Sequence, residues 1–206
     1  MYNNLHNLYD RHLDILLEIG NIGAGNAVTA LSRLMGRKVD MNVPHASLLE
    51  FKDVSGHVGN PEDLVFGVLV NVCGDINGII MFLVRLDSAR VLINSLVGTD
   101  IKDYEHFDDM DRSAVQEIGN ILISSYVGAL SMLTDKRIMP SNPYLALDMA
   151  GAILSVPAVE FGKIADSVLF IESTFADDEW GNVSGYFILV PDIPSLDVIL
   201  KSLGVE

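Results

Sequence analysis

The chain has 206 residues, of which 50% are hydrophobic and 20% charged, a balance that supplies a substantial core and excludes a disordered segment. Its formal net charge of −15, from 28 acidic against 13 basic residues, argues against a nucleic-acid-binding surface and fits a protein partner with a basic patch better. No apolar run approaches the length that spans a bilayer, and the polar stretch Met1 to Asp10 does not read as a secretory signal, so a cytoplasmic protein without membrane insertion is expected.

Leu13, Leu16, Leu17, Ala24, Ala27, Val28, Leu31, Leu34 and Met35 recur at helical spacing and predict an amphipathic helix from about Arg11 to Met35, with Asp10 as its N-cap and Gly36 closing it. An extended stretch over Lys38 to Phe51 follows. Two apolar runs separated by Asp75-Ile76-Asn77-Gly78 then predict a hairpin, with Cys73 as a buried free thiol in its first strand. Asp87 to Gly98 reads as a further helix.

The acidic bridge from Asp100 to Asp111 reads as a solvated linker, since it lacks the alternating oxygen ligands, central glycine and closing Glu of a calcium loop. Asp111 is the predicted N-cap of a second long helix running to about Leu133. Prolines then predict an extended course from Arg137 to Phe161. Two more apolar runs flank a loop over Ala176 to Asn182, and a last helix covers Pro194 to Gly204.

The second series repeats the first. Glu18-Ile19-Gly20-Asn21-Ile22 recurs as Glu117-Ile118-Gly119-Asn120-Ile121, 99 residues later, and the run Gly78 to Val84 is echoed by Gly185 to Val190. The expected architecture is therefore a single α+β domain, internally duplicated, with a mainly antiparallel sheet, packed helices and pseudo-twofold symmetry. Its repeats cover about 10–98 and 111–206.

On the first helix Asp14, Glu18 and Asn21 fall within about 60° of arc, opposite the leucine-rich side. Ser113, Glu117 and Asn120 repeat this on the second. Any surface helix displays a Glu and an Asn somewhere, but the copies diverge around them: Gly23-Ala24-Gly25-Asn26 becomes Leu122-Ile123-Ser124-Ser125 while both Glu/Asn pairs persist. The glycines do not form a dinucleotide fingerprint, because Val28 occupies the third glycine position and no strand precedes them. They are expected to permit close approach by a neighbouring element or a partner. The five histidines, His6, His12, His45, His57 and His106, form no recognisable zinc or nucleophile motif, and no metal site is expected.

Both copies fit the pattern Asp/Ser-x3-Glu-x2-Asn-x22-Pro, through Asp14, Glu18, Asn21 and Pro44, then Ser113, Glu117, Asn120 and Pro143. In this the chain resembles the CheC, CheX and FliY chemotaxis phosphatases over nearly its full length. The doubled motif is similar to CheC members, whereas CheX-like members carry one copy and form dimers. The resemblance implies hydrolysis of the aspartyl phosphate of a CheY-like receiver and a monomer with no cofactor of its own.

An aspartyl phosphate is a reactive mixed anhydride, and its receiver supplies a magnesium ion and a lysine that neutralise the phosphoryl oxygens. An aligned water is what remains to be provided. Asn21 and Asn120 would orient it through their carboxamides, and Glu18 and Glu117 would anchor the receiver by pairing with its lysine. Asp14 and Ser113 are expected to support docking only, and Pro44 and Pro143 to end or bend a strand beside each helix.

The resemblance also implies the deamidase CheD as a partner, with Asp148 in the segment Leu147 to Ser155 as its candidate contact. An acidic gatekeeper on an edge strand is the competing reading of that residue. The competing reading of the whole chain is a non-catalytic binding module that sequesters phosphorylated CheY or CheD.

Overall fold

The computed structural model describes residues 2–98, 107–161, 167–177, 181–202 and 204. Helix α1 spans Tyr2–Met35 and strand β1 Asp40–Glu50; a 3-10 turn and the short helix α2, Val54–Val58, lead into the hairpin of β2, Leu64–Gly74, and β3, Gly78–Arg85. Helix α3, Leu86–Val97, precedes α4, Asp109–Thr134. Then come β4, Ile138–Pro140, β5, Tyr144–Met149, α5, Ala150–Phe161, β6, Ser167–Asp177, β7, Gly181–Pro191, and α6, Ile193–Ser202.

The seven strands form one sheet in the order β1-β6-β7-β3-β2-β4, with β5 pairing the upstream part of β2, and all pairings are antiparallel. The α+β class expected from the sequence is the one observed. Alternation along the strands splits the core into two layers. Phe66, Val68, Val70 and Val72 of β2 face a cluster shared with α1, α3, α4 and α6, while Val65 and Leu69 face a smaller cluster covered by α2 and α5.

Strands from the two parts of the chain interleave in the sheet, each hairpin lying between strands of the other part. β1 pairs with β6 and β2 with β5, so the hairpin strands of one part meet the lone strand of the other. At the centre, β3 lies against β7 with Met81 directly opposite Ile188. Aligning Gly78 with Gly185 makes those two residues counterparts, so the pairing reads the same from either side.

Several local expectations need correction. α1 begins at Tyr2, which puts Asp10 inside the helix rather than at its cap. The cap of α4 is Asp108, whose carboxylate accepts from the N–H groups of Met110 and Asp111 at 2.8 and 2.9 Å. Asp111 is the reciprocal member of this capping box: its Oδ2 accepts from Asp108 N–H at 3.1 Å. The acidic bridge thus ends in a structured cap, and its residues 100–106 lie outside the described ones.

The region 150–161 is helical and not extended, with the buried Pro157 inside it. Ala150, Ile153 and Leu154 are buried against the sheet. At about 1.5–3 kcal/mol for each large apolar side chain, this burial offsets the backbone hydrogen bond a proline removes. The expected 176–182 loop is shorter, because β6 continues to Asp177 and β7 starts at Gly181. Cys73 lies in β2 as expected but is exposed, and its Sγ sits 3.8 Å from the carbonyl of Met139.

Candidate functional site

The shared pentapeptide folds alike in both helices. Glu18 and Glu117 are exposed; Ile19 and Ile118, then Gly20 and Gly119, are buried; Asn21 is exposed and Asn120 half-buried. The glycines explain this orientation. A Cβ on Gly20 would stand 2.9 Å from Val43 Cγ1 in β1 and 3.5 Å from Ile171 in β6, and one on Gly119 would stand 2.5 Å from Val68 Cγ2 in β2. Each helix backbone therefore rests directly on the sheet at its glycine, and the flanking Glu and Asn face outward from a braced support.

Sequence reasoning left open whether the glycines serve a packed neighbour or a partner, and they divide. Gly20, Gly23 and Gly119 serve neighbours, whereas a Cβ on Gly25 would meet nothing within 4 Å. At Gly23 the neighbour is Tyr126 of α4, whose ring carbon Cε1 would be 2.7 Å from an added Cβ. The Tyr126 hydroxyl shares a 2.6 Å hydrogen bond with Ser173 Oγ, and its ring packs on Phe187 at 4.5 Å between centroids. Burial pushes this phenol up to about 12, against the smaller lowering effect of the Ser173 bond. The two motif helices thus meet at a fixed aromatic ring.

None of the side chains of Glu18, Asn21, Glu117 and Asn120 makes a hydrogen bond or ion pair among the described residues. Their polar groups are available to a partner and to water. Ser113 is not: its hydroxyl donates to the Asp109 carbonyl at 2.7 Å within the helix. The side chains of Asp14 and Pro44 lie outside the described residues. The backbone at Pro44 falls in the register shift between Asn42 and His45, and Pro143 immediately precedes β5.

Two features were not anticipated. Gln116 Nε2 donates to the Pro143 carbonyl at 3.1 Å, tying α4 to the corner before β5. The only signal for it in sequence is a Gln one turn before Asn120, where the first copy has Leu17. His45 and His57, expected to be scattered, stack with ring centroids 6.0 Å apart. Among the described residues no group of three or more His, Cys, Asp or Glu side chains is placed to hold a metal ion.

Asp148 is exposed on β5, an outer strand, with its Oδ1 accepting from the Met149 N–H at 2.7 Å. It lies on a different element from the motif helices. No described helix is long and apolar enough to cross a membrane.

A model of the CheC-like family matches residues 12–48 and 110–145, the segments that carry the two Glu/Asn pairs. The CheY-P phosphatase CheC of Bacillus subtilis is 33% identical over 198 residues, 95% of each chain. The chain belongs to the CheC-like family. The flagellar motor switch phosphatase FliY of the same organism is 30% identical over 68% of this CheC-like chain and 36% of its own length. The fold agrees with the crystal structure of Thermotoga maritima FliY, at a TM-score of 0.71 and 22% identity, covering 92% of this chain and 96% of that one.

Proposed function

We propose that this chain hydrolyses the aspartyl phosphate of a CheY-like receiver, using the Glu18/Asn21 and Glu117/Asn120 pairs as two active sites. The observation that carries this reading is the presentation, without a side-chain partner among the described residues, of a carboxylate and a carboxamide from each of two helices braced on one sheet, in a chain related to a CheY-P phosphatase.

In this mechanism the receiver brings the phosphoryl group, its magnesium ion and a lysine. Asn21 or Asn120 holds a water in line with the phosphorus, its carboxamide oxygen accepting from the water and its N–H group orienting it. The water oxygen attacks, the bond from phosphorus to the receiver aspartate breaks, and inorganic phosphate leaves without a covalent intermediate on this protein. Glu18 or Glu117 pairs with the receiver lysine and fixes the docked geometry. Catalysis comes from positioning, so the rigidity of the helix is part of it.

The same reading has the chain act in the cytoplasm as a monomer and engage CheD through the outer strand around Asp148, whose carboxylate is exposed there. Phosphate release from a phosphorylated receiver tests the catalytic part. Asn21→Ala and Asn120→Ala should each leave the activity of the remaining site, and the double substitution should remove acceleration by on the order of 100-fold. A double variant as fast as the parent refutes the positioned-water mechanism and leaves a binding module.

A further inference from the structure

The two sites differ in what stands beside them. Around α4, Gln116 lies about 40° from Asn120, on the side that turns toward the sheet-facing Gly119. From there it donates to the Pro143 carbonyl at 3.1 Å. Pro143 closes a corner, 141–143, between β4 and β5, where the chain leaves the sheet with Ser141 and Asn142 exposed.

At this corner Ser141 and Asn142 are exposed and Pro143 is half-buried. A cavity of about 260 Å³ lies behind it, lined by Asn71, Ser141, Asn142, Tyr144 and Ile153 among others. Hydrogen bonds hold the corner. Ser141 exchanges two with Asn71, the Asn71 N–H donating to Ser141 Oγ at 3.1 Å and the Ser141 N–H donating to the Asn71 carbonyl at 2.8 Å. Gln116 supplies a bond that ties the corner to the helix.

The first site has no counterpart. The position matching Gln116 is Leu17, an apolar side chain packed against the main core. The stretch matching the corner, 42–44, stays within strand β1 at its register shift and does not leave the sheet as a corner, and Val43 packs against Gly20.

We propose that Gln116 is a positioning residue that fixes the 141–143 corner as a receiver-contacting rim of the Glu117/Asn120 site, a rim that the Glu18/Asn21 site lacks. This rests on the phosphatase reading above and adds an inequality between the sites. A pre-set rim lowers the ordering cost of docking, whereas Asn120 sits on a stiff helix that does not depend on the corner. Loss of the tether therefore weakens docking and spares the chemical step.

The test measures steady-state phosphate release against receiver concentration, with each site isolated by Asn21→Ala or Asn120→Ala. In the Asn21→Ala protein, Gln116→Leu should raise KM about 3–10-fold with kcat held within about twofold, and Ser141→Ala, which loosens the same corner from its other end, should give the same split. Both should leave KM and kcat unchanged in the Asn120→Ala protein. An unchanged KM, a fall in kcat at constant KM, or equal effects in both backgrounds overturns the proposal. An Asn21→Ala protein without activity beside an active Asn120→Ala protein also overturns it, because the second site then does no work. If the unsubstituted chain itself releases no phosphate, it is the phosphatase reading that fails.

Discussion

Replacing Gly23 or Gly25 by alanine adds one methyl group to α1 at positions two residues apart. Both changes gain about 1 kcal/mol of helix propensity. At Gly25 the new methyl meets nothing within 4 Å, so that gain stands. At Gly23 it falls 2.7 Å from Tyr126 Cε1 and 3.0 Å from Cγ, well inside contact distance. The ring has little room to retreat, being held by Ser173 at its hydroxyl and by Phe187 at its face. An overpacking cost of about 2–3 kcal/mol, the upper part of the usual range, exceeds the propensity gain and leaves Gly23→Ala destabilised by about 1–2 kcal/mol.

The two variants should therefore differ by about 2–3 kcal/mol, with Gly25→Ala above the parent and Gly23→Ala below it. For a domain of this size that separates their thermal midpoints by roughly 4–12 °C. Urea unfolding followed by circular dichroism gives the same comparison at fixed temperature. Equal stability of the two variants would refute the assignment of Gly23 as the contact point between the motif helices.

Tyr126→Phe should alter how stability depends on alkaline pH. An unfolded phenol titrates near 10 while the buried one titrates at about 12, so between these values the unfolded state gives up a proton that the native state keeps. Native stability falls over that window by about 3 kcal/mol from this group, and the phenylalanine variant should not show that component. A parent-minus-variant difference in denaturant unfolding that stays constant above pH 10 would contradict this. Asp108→Ala removes two bonds to helix N–H groups and should lower stability by about 1 kcal/mol, visible as a lower urea midpoint. Asp108→Asn, which keeps an acceptor oxygen, should retain most of it, and indifference to the alanine change would exclude the capping box as a stabilising feature.

Helical periodicity identified α1 and α4 and put Glu18, Asn21, Glu117 and Asn120 on their outer faces, because burial on a sheet imposes a pattern that survives in the sequence. The helix of 150–161 was hidden by Pro157. Its stability comes from Ala150, Ile153 and Leu154 meeting the sheet, a tertiary contact that outweighs the local proline signal. Asp111 reads as a cap in sequence because an acid at a helix start fits either role in a capping box, and only geometry separates Asp108 from it. The pairings β1 with β6 and β2 with β5 join residues far apart in the chain and leave no local mark. Gln116 was invisible for a simpler reason: a glutamine on a surface helix has no distinctive pattern until the carbonyl it reaches is known.

The interleaving of strands from the two parts of the chain governs how the protein acquires its structure during synthesis. When the ribosome has produced residues up to 98, the β2·β3 hairpin can close, but β1 still awaits β6 and β3 still awaits β7, both made near the end. Helix α4 can settle on β2 as soon as it is made, but α1 meets Ile171 of β6 at Gly20 and the Tyr126 ring of α4 meets Ser173 and Phe187 only when the late strands arrive. Contacts of such long sequence separation also slow folding and leave strand edges open meanwhile. A nascent chain released at the linker would carry an intact Glu/Asn pair with no finished sheet beneath it.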